Sequence, residues 1–329
     1  MTLKTFLYGL GIVAIILTLI PIIPVDHWWI RMFDFPHIQL TVVTLIALVT
    51  FASKFNINEV KEYIFLAALI GCFIYQFITI YPLTPLHDIE VLEATTESPE
   101  RQLTLFTSNV LQDNDQYDSL NSQIKKFDAD IVLLTETDNI WRTHITRELS
   151  PEYRYSEEAP LPNTYGMLLY SKLELVNPTI HYRVDDSIPS ISSKVVLKTG
   201  DTIQFFGIHP TPPMPQENPR STDRDTEMML TAKLARESKL PVVVLGDFND
   251  VAWSDTTLLF KNTGELLDVR VGRGFFSTFD ATNPILRWPL DHMFISEEFR
   301  VNEVTRGEDI KSDHFPFYAS LSFEPEKAA

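Results

Sequence analysis

The sequence has little cysteine and a shortage of basic residues. Cys72 is the only cysteine among 329 residues, so no disulfide can form within the chain, and the cysteine count does not identify the compartment. Lys and Arg number 27 against 44 Asp and Glu, which gives a formal net charge of −17. The composition disfavours a protein that coats nucleic acid, because such proteins depend on basic residues to neutralise phosphates. It does not exclude a local basic groove.

Several common catalytic signatures are also missing. No Gly-x-Ser-x-Gly turn occurs, which speaks against a serine hydrolase of the Ser/His/Asp type. No Walker loop and no Rossmann glycine pattern is present, and the soluble part shows no internal repeat. The chemistry must therefore come from other side chains.

Charge is scarce in the first part of the chain. Residues 1–90 carry ten formal charges and net −2, which leaves −15 for residues 91–329. Three uncharged stretches lie there, at residues 5–25, 35–53 and 63–86. Each reaches the ~20 residues that a membrane-spanning helix needs. We predict a three-span membrane anchor over residues 1–86.

Other interpretations of these stretches are weaker. A cleaved signal peptide would not be followed by two further apolar segments, and no Ala-x-Ala-like cleavage site is present. Buried helices of a soluble protein would be shorter and would carry some charge. A transporter is disfavoured because the spans hold almost no ionisable residues to mark a pathway.

Basic residues near the spans predict the orientation. With the N-terminus inside, three lysines face the cytoplasm and one arginine faces out; these are Lys4, Lys54, Lys61 and Arg31. Aromatic residues in the first connection are typical of a membrane belt, namely Trp28, Trp29 and Phe33. We therefore expect a plasma (inner) membrane protein whose domain from residue 91 onward is extracytoplasmic. The expected partners are the lipid bilayer and a phosphorylated substrate, with no obligate protein partner evident.

The remaining chain divides into an acidic linker over residues 87–101 and one domain over residues 102–325. Apolar runs predict strands, and helical periodicity predicts two helices. The predicted strands are 102–110, 130–135, 166–171, 192–198, 202–208, 241–245, 291–296 and 315–323; the predicted helices are 117–127 and 222–238. The proline-rich stretch 210–219 is expected to be a loop. This mixture predicts an α/β fold of two β-sheets packed face to face, with helices outside.

Six short polar clusters lie beside these apolar runs. They are Ser108-Asn109-Val110, Leu134-Thr135-Glu136-Thr137, Ile208-His209-Pro210, Gly246-Asp247-Phe248-Asn249, Leu290-Asp291-His292 and Ser312-Asp313-His314. Strand ends are where α/β proteins gather reactive side chains. Carboxylates, carboxamides and imidazoles are the groups that hold a hard divalent cation and cleave a phosphate ester.

The acid and amide residues suggest specific roles. Glu136 ends a buried strand and is the best single metal ligand, and Asn109 could add a carboxamide oxygen. Asp247 and Asn249 are two residues apart, so in an extended chain they point to the same side. One could orient a water while the other grips a phosphate oxygen. Solvated strand-end acids, turns and caps remain the simpler alternatives for these residues.

The histidines are individually ambiguous. A carboxylate beside an imidazole, as in Asp313-His314 and Asp291-His292, can fix a tautomer or stabilise the charged ring. His209 lies between an apolar strand and the proline-rich loop, where a fixed imidazole could face a cleft. Ordinary loop positions are the alternative for all of them.

Taken in order, the clusters resemble the endonuclease/exonuclease/phosphatase superfamily, which includes pancreatic-type deoxyribonucleases, abasic-site endonucleases, neutral sphingomyelinases and inositol-polyphosphate phosphatases. Gly-Asp-Phe-Asn followed by a terminal Ser-Asp-His is specific in combination, and the resemblance spans about residues 102–323. It implies a four-layered α/β sandwich, here preceded by three transmembrane helices.

The resemblance also implies a role for each site residue. The metal ligands would be Asn109, Glu136 and Asp313, with Mg²⁺ as cofactor and Mn²⁺ as a possible substitute. The catalytic residues would be Asp247, which orients or deprotonates the attacking water; Asn249 and His209, which hold the scissile phosphate; and His314, which contacts the phosphate while Asp291 holds its ring. His292 is assigned no chemistry.

These roles predict a membrane-anchored, metal-dependent phosphoesterase that hydrolyses a phosphodiester or pyrophosphate by in-line attack of water. A lipid-linked phosphate is the favoured substrate, since the layout is similar to membrane-anchored bacterial members associated with cell-envelope lipid pyrophosphates and glycopeptide resistance. Nucleic acid (a nuclease) is the second option and a phospholipid head group the third. Loops 210–219 and 275–288 are candidates for recognition. A catalytically silent sensor or scaffold that binds a phosphorylated ligand is the alternative from another class.

Overall fold

The computed structural model describes residues 3–96 and 98–325, and its first part is a group of apolar helices. These are α1 (Leu3–Leu19), the short α2 (Trp28–Arg31), α3 (His37–Ala52) and α4 (Val60–Ile80). Two helical stretches, Leu3–Ile22 and Val60–Leu83, are long and apolar enough to cross a membrane. Trp28–Asp34 and His37–Ala52 pass that test only as a pair bent by 68°. The structure therefore contains two or three candidate spans where the sequence predicts three.

Polar contacts join the apolar helices. Near one end, Lys4 of α1 forms an ion pair with Glu62 of α4, whose carboxylate also accepts a hydrogen bond from the backbone N–H of Asn56. Further along, the Gln76 side chain donates to the Thr18 hydroxyl. In an apolar environment such polar contacts between helices help to hold the helices together.

Twelve strands form two mixed six-stranded sheets. The first sheet contains β1 (Gln102–Asn109), β2 (Ile131–Thr135), β3 (Tyr155–Ala159), β4 (Met167–Ser171), β11 (Phe299–Arg306) and β12 (Phe317–Phe323), in the order β11-β12-β1-β2-β4-β3. The second contains β5 (Leu175–His181), β6 (Ser190–Val196), β7 (Thr202–Ile208), β8 (Val242–Asp247), β9 (Leu267–Asp268) and β10 (Asp291–Ile295), in the order β5-β6-β7-β8-β10-β9. Only β1–β2 and β7–β8 pair in parallel among the described strands.

The main core lies between the two sheets. Inward side chains such as Leu105 and Leu133 from the first sheet pack with Phe205, Val243 and Met293 from the second, all fully buried. Alternate residues of the same strands face outward onto helices. The helices α5 (Tyr117–Phe127) and α6 (Asn139–Leu149) cover the first sheet, and α7 (Thr222–Glu237) and α8 (Asp255–Gly264) cover the second. The predicted α/β sandwich of two sheets with outer helices is confirmed.

The segment predicted as an acidic linker lies along the domain. The Val301 N–H donates to the Leu92 carbonyl, and Glu90 forms an ion pair with Lys261 of α8 at 2.7 Å. Arg273 donates to the Val91 carbonyl and pairs with Glu93. The division at residues 86 and 101 stays a prediction, and Glu97 lies outside the described residues.

Candidate functional site

The two parallel strand pairs bring most of the predicted residues to one end of the sandwich. Asn109 is the last residue of β1, and Glu136 directly follows β2. His209 directly follows β7, and Asp247 is the last residue of β8. Asp291 opens β10 directly opposite Asp247, because β10 runs antiparallel to β8. Parallel strands present their carboxyl ends at the same edge of a sheet, so the topology itself gathers these side chains.

Asn109 connects the two sheets at the centre of the site. Its carboxamide nitrogen donates to a Glu136 carboxylate oxygen at 2.7 Å and to Asp247 Oδ2 at 3.0 Å. Its carboxamide oxygen accepts from the backbone N–H of Leu111 at 3.0 Å. The side-chain nitrogen thus faces both carboxylates, so the expected use of the oxygen as a metal ligand requires the amide group to turn over.

Two backbone features shape the strand ends. Gly246, just before Asp247, has φ +146°, and a Cβ there would lie 2.0 Å from the Ile208 carbonyl oxygen. Only glycine lets β7 and β8 approach this closely. Glu136 and Asn249 have φ +57° and +50°, a left-handed conformation that few non-glycine residues adopt. Such strained positions concentrate at functional sites.

His314 sits between two buried carboxylates. Its Nδ1 donates to Asp291 Oδ2 at 2.7 Å, and its Nε2 lies 3.7 Å from Asp247 Oδ2. Burial lowers the pKa of His314, but the charges of Asp291 and Asp247 outweigh burial and raise the pKa to about 10. The ring is therefore an imidazolium at neutral pH, and its hydrogen bond to Asp291 fixes its orientation.

The carboxylates respond differently to burial. Burial raises the pKa of Asp247, yet the imidazoles of His314 and His209 outweigh it and hold that pKa below its usual value. Burial also raises the pKa of Glu136, and there His209, the Asn109 hydrogen bond and His314 oppose the shift without cancelling it, while the charge of Asp313 adds to it. The same two imidazoles therefore compensate Glu136 less completely than Asp247.

His209 and Asn249 flank Asp247. His209 Nε2 lies 3.7 Å from Asp247 Oδ2, while its Nδ1 is buried without a hydrogen-bond partner among the described residues. The Asn249 backbone N–H donates to Asp247 Oδ1 at 2.9 Å, and its side-chain nitrogen donates to the Pro210 carbonyl. Asn249, Glu136 and Asp313 are partly exposed, whereas Asp247 and His314 are buried. The accessible part of the site is therefore formed by Asn249, Glu136 and Asp313, whereas the predicted ligands Asn109 and His209 are buried.

One metal-sized group of ligand atoms is found among the described residues. Atoms of Asp247, Asp291 and His314 all lie within 4.8 Å of one another, so by distance this trio could hold a metal ion. The predicted ligands were Glu136, Asn109 and Asp313 instead. A protonated His314 that already donates to Asp291 has no lone pair to offer at that nitrogen, so the charge state favours an ion pair within the trio.

His292 is a buried structural residue in this fold. Its Nε2 contacts the Asp250 carbonyl at 2.9 Å, and its Nδ1 lies against Arg270, which is paired with Asp268. Burial lowers the pKa of His292 to about 3, with Arg270 acting in the same direction. The neutral ring faces the Phe248 side of the core. These contacts explain why His292 is buried here, and no role in the chemistry is needed to explain it.

The structure adds three residues that the sequence interpretation missed. The Ser312 hydroxyl donates to the Asn109 carbonyl and accepts from the His314 N–H, so it ties the terminal cluster to β1. The Tyr165 ring lies 5.5 Å from His209. Thr278 accepts from the Asp291 N–H at 3.3 Å. Ser312 stood inside a noted cluster, but nothing in the sequence marks Thr278 or Tyr165.

Comparisons with solved structures place the domain among known folds. Humanized TDP2 from D. rerio is 16% identical and aligns over 68% of this chain and 99% of that chain, with a TM-score of 0.57. The human Nocturnin catalytic domain with bound sulfate is 17% identical over 74% of this chain and 99% of that chain, with a TM-score of 0.56. A mannosyl-6-phosphatase from Bacteroides thetaiotaomicron is 19% identical over 67% and 100%, with a TM-score of 0.53. At these identities the similarity establishes the fold alone.

Sequence comparisons give the family. A comparison with curated proteins found no match. The model described as the endonuclease/exonuclease/phosphatase family matches residues 106–314, which is more than half of the chain and contains every candidate site residue. The chain therefore belongs to the endonuclease/exonuclease/phosphatase family.

Proposed function

We propose that this protein is a membrane-anchored, divalent-metal-dependent phosphoesterase that hydrolyses a phosphodiester or pyrophosphate outside the cytoplasm. The observation that carries the proposal is the bridge from Asn109 to both Glu136 and Asp247, next to the His314–Asp291 pair. Five polar residues from five strand ends meet there, in the family that hydrolyses phosphoester bonds.

The residues present fit a cation beside Glu136. The cluster holds four carboxyl groups, on Glu136, Asp247, Asp291 and Asp313, but its strongest positive charge, His314, lies against Asp291 and Asp247. Glu136, the carboxamide of Asn109 when turned, and Asp313 would hold Mg²⁺ or Mn²⁺. Oxygen donors of this kind are the ones Mg²⁺ prefers. When bound, the metal supplies positive charge to the phosphoryl oxygens.

The remaining residues divide the work on the substrate. Asp247 has a pKa below its usual value and is therefore a weak base. It is better suited to orient a water, by accepting a hydrogen bond from it, than to remove a proton from it. His209, whose Nδ1 is unpaired, and Asn249 contact the phosphate. The His314 imidazolium stabilises the charge that develops on the phosphoryl group, and Asp291 keeps its ring in place.

Contacts between the site loops and the anchor favour a lipid-linked substrate. The loop after β7 is hydrogen-bonded to the segment that connects α1 and α3, since the Ser221 N–H donates to the Asp26 carbonyl at 2.7 Å. The loop after β8 does the same through Trp253, whose indole donates to the Asp34 carbonyl. The loop before β10 reaches α3, where Gln39 donates to the Ile285 carbonyl. These contacts turn this end of the sandwich toward the apolar helices, which supports a substrate that is presented at a membrane surface.

Nucleic acid is the second candidate substrate. The related TDP2 of D. rerio has been solved with a single-strand DNA product. The formal charge of −17 opposes this choice, because nucleic-acid binding depends on positive residues. A lipid-linked phosphate needs no such surface, since the anchor already concentrates the enzyme at the membrane.

The test is turnover by the full chain, purified in detergent with Mg²⁺ or Mn²⁺, on a panel of lipid pyrophosphate, sphingomyelin and single-stranded DNA. We expect metal-dependent hydrolysis of the lipid pyrophosphate, and a loss of about 10²–10⁴-fold in Asp247→Ala. The exposed Asp113→Asn is the matched control and keeps full activity. Equal turnover in Asp247→Ala would reject the proposal, and saturable binding without turnover of any substrate would favour the silent sensor.

A further inference from the structure

Two arginines without acidic partners stand beside the anchor. Arg287 and Arg306 both lie over the ring of Phe315, with their guanidinium carbons 4.9 Å and 4.1 Å from its centroid. Within residues 3–96 and 98–325, neither forms an ion pair with a carboxylate. In a chain with 44 acidic and 27 basic residues, two neighbouring unpaired arginines are an unexpected arrangement.

The partners of these arginines are backbone carbonyls. Arg306 donates to the Ser277 carbonyl at 2.8 Å, and Arg287 Nε donates to the Asn283 carbonyl at 2.8 Å. Carbonyl oxygens fix the two side chains without neutralising them. Burial lowers the pKa of Arg306, and the charge of Arg287 lowers it further, so the pair repels and gains from an anion placed between the two groups.

The pair borders a groove of about 570 Å³ between the domain and the anchor. One wall is α3, through Ile38 and Gln39, and the other is the 275–288 loop, through Phe275 and Ile285. Gln39 donates to the Ile285 carbonyl at 2.7 Å, which holds that loop at the level of the first turn of a candidate span. The Ile285 side chain is 73% exposed, so an apolar group points outward at this level.

From this arrangement we infer that the groove between α3 and the 275–288 loop is a binding site for an anionic phospholipid of the surrounding leaflet. Arg287 and Arg306 would hold the head-group phosphate, because guanidinium groups match phosphate geometry with paired donors. Ile38 and Ile285 would lie against the upper acyl chains. The site differs from the catalytic centre, and only the 276–279 segment separates the two, since Thr278 contacts Asp291 and Phe279 packs on His314.

The inference rests on the membrane anchoring proposed above, and its test does not depend on turnover. The full chain is placed in nanodiscs of equimolar phosphatidylcholine and phosphatidylglycerol, and the lipids that remain bound after release are counted by native mass spectrometry. We expect the wild-type protein to retain phosphatidylglycerol preferentially. Arg306→Gln and the double variant Arg287→Gln/Arg306→Gln should lose that preference by roughly tenfold or more.

Controls separate charge from folding. Arg306→Lys keeps the charge and should retain phosphatidylglycerol, while Arg142→Gln/Arg147→Gln removes two charges from α6, far along the chain, and should behave as wild type. Equal retention in Arg306→Gln and wild type would overturn the inference, as would displacement of the lipid by millimolar inorganic phosphate.

Failure of the two proposals can be told apart. Asp247→Ala should retain phosphatidylglycerol like the wild type, because Asp247 is not part of the lipid groove. A wild-type protein that binds the lipid but hydrolyses no substrate would contradict the phosphoesterase proposal. That result would not contradict the lipid site. A chain that does not enter nanodiscs at all would overturn both the anchoring and the lipid site.

Discussion

At the scale of single residues, two carboxylates of the site, Asp247 and Glu136, differ in how far neighbouring groups offset the desolvation of their charge. Asp247 receives hydrogen bonds from Asn109 and the Asn249 backbone, and with the imidazoles of His314 and His209 these hold its pKa below the usual value. Glu136 receives one hydrogen bond, and the same imidazoles do not offset its desolvation, so its pKa stays raised. A carboxylate whose desolvation is not fully offset favours taking up a proton or a metal ion. This difference is the physical basis for placing the metal at Glu136.

Removing the Glu136 charge should therefore weaken metal binding strongly. We expect Mg²⁺ or Mn²⁺ to raise the melting temperature of the wild-type chain in detergent, because a ligand that binds only the folded state stabilises it. Glu136→Gln should weaken metal affinity by about a hundredfold, since groups that only support a ligand already contribute about 10–100-fold. Thermal melts with and without metal measure this, with Asp113→Asn as control. A full metal shift in Glu136→Gln would place the ion elsewhere, for example at the Asp247, Asp291 and His314 group.

The His314–Asp291 pair should set the alkaline limit of activity. The pKa of His314 in the fold is about 10, above its ordinary value of 6.5, so the imidazolium is fully present at neutral pH and is lost as pH rises through about 10. Asp291→Asn removes the main negative partner and should move the alkaline limb of the pH–rate profile to lower pH, with turnover reduced about 10²-fold or more. An unchanged alkaline limb would show that His314 does not titrate in catalysis. The exposed Asp186→Asn is the control.

At the scale of helices and strands, local pattern predicted most elements and missed several. The limits of α5 and β7 follow from apolar periodicity and match the predicted 117–127 and 202–208. β6 begins two residues before its predicted start, since Ser190 already pairs with β5, and Ile191 pairs with both β5 and β7. α6 was missed although Trp141, Ile145 and Leu149 repeat every four residues, because apart from the exposed Ile140 its remaining positions are polar. Edge strands such as β11 bury only part of their residues and give a weak signal.

The site was predictable in its membership and not in its contacts. Cluster identity and strand-end position pointed to Asp247, Glu136 and His314 because polar residues after buried strands are informative. The Asn109 bridge, the Ser312 link and the role of loop 275–288 depend on which strands become neighbours across two sheets. Such long-range pairing leaves no local pattern in the sequence.

One buried acid on α7 gives a test of the packing. Glu227 is 2% exposed, and one of its carboxylate oxygens has no partner among the described residues. Burial raises the pKa of Glu227 to about 7, although Arg183 opposes the shift. The folded state therefore binds this proton more tightly than the unfolded state, and stability is lost as pH rises from about 4.5 through 7.

Glu227→Gln should remove this loss, because glutamine carries no charge to desolvate. We expect the variant to be more stable than wild type by about 2–3 kcal/mol near pH 8 and to melt at a similar temperature near pH 5. Tryptophan fluorescence melts of the detergent-solubilised chain measure this. A variant less stable than wild type near pH 8 would mean that Glu227 is ionised and well compensated by Arg183.

At the scale of the whole molecule, the anchor and the sandwich are joined where the chemistry lies. Three loops that leave catalytic strand ends bond the anchor, at Asp26, Asp34 and Gln39. The arrangement fits a substrate presented by the bilayer itself.

The proposed orientation is based on the charges at the opposite end of the apolar helices. Lys4 pairs with Glu62, so the N-terminal end of α1 and the start of α4 share one side of the helix group. Lys54, on the connection before α4, and Lys61, in the first turn of α4, belong to the same end. We expect protease added to intact cells, or to spheroplasts where an outer membrane is present, to cleave the acidic domain. Protection from outside, with cleavage only after lysis, would reverse the proposed topology.

The most direct test of the central claim is hydrolysis of a lipid pyrophosphate by the purified full chain in ¹⁸O-labelled water. Attack of water on phosphorus at the Glu136–Asp247–His314 site predicts one ¹⁸O atom in the product of each metal-dependent turnover, and no labelled product from Asp247→Ala. Unlabelled product, or equal labelled product from Asp247→Ala, would contradict the account.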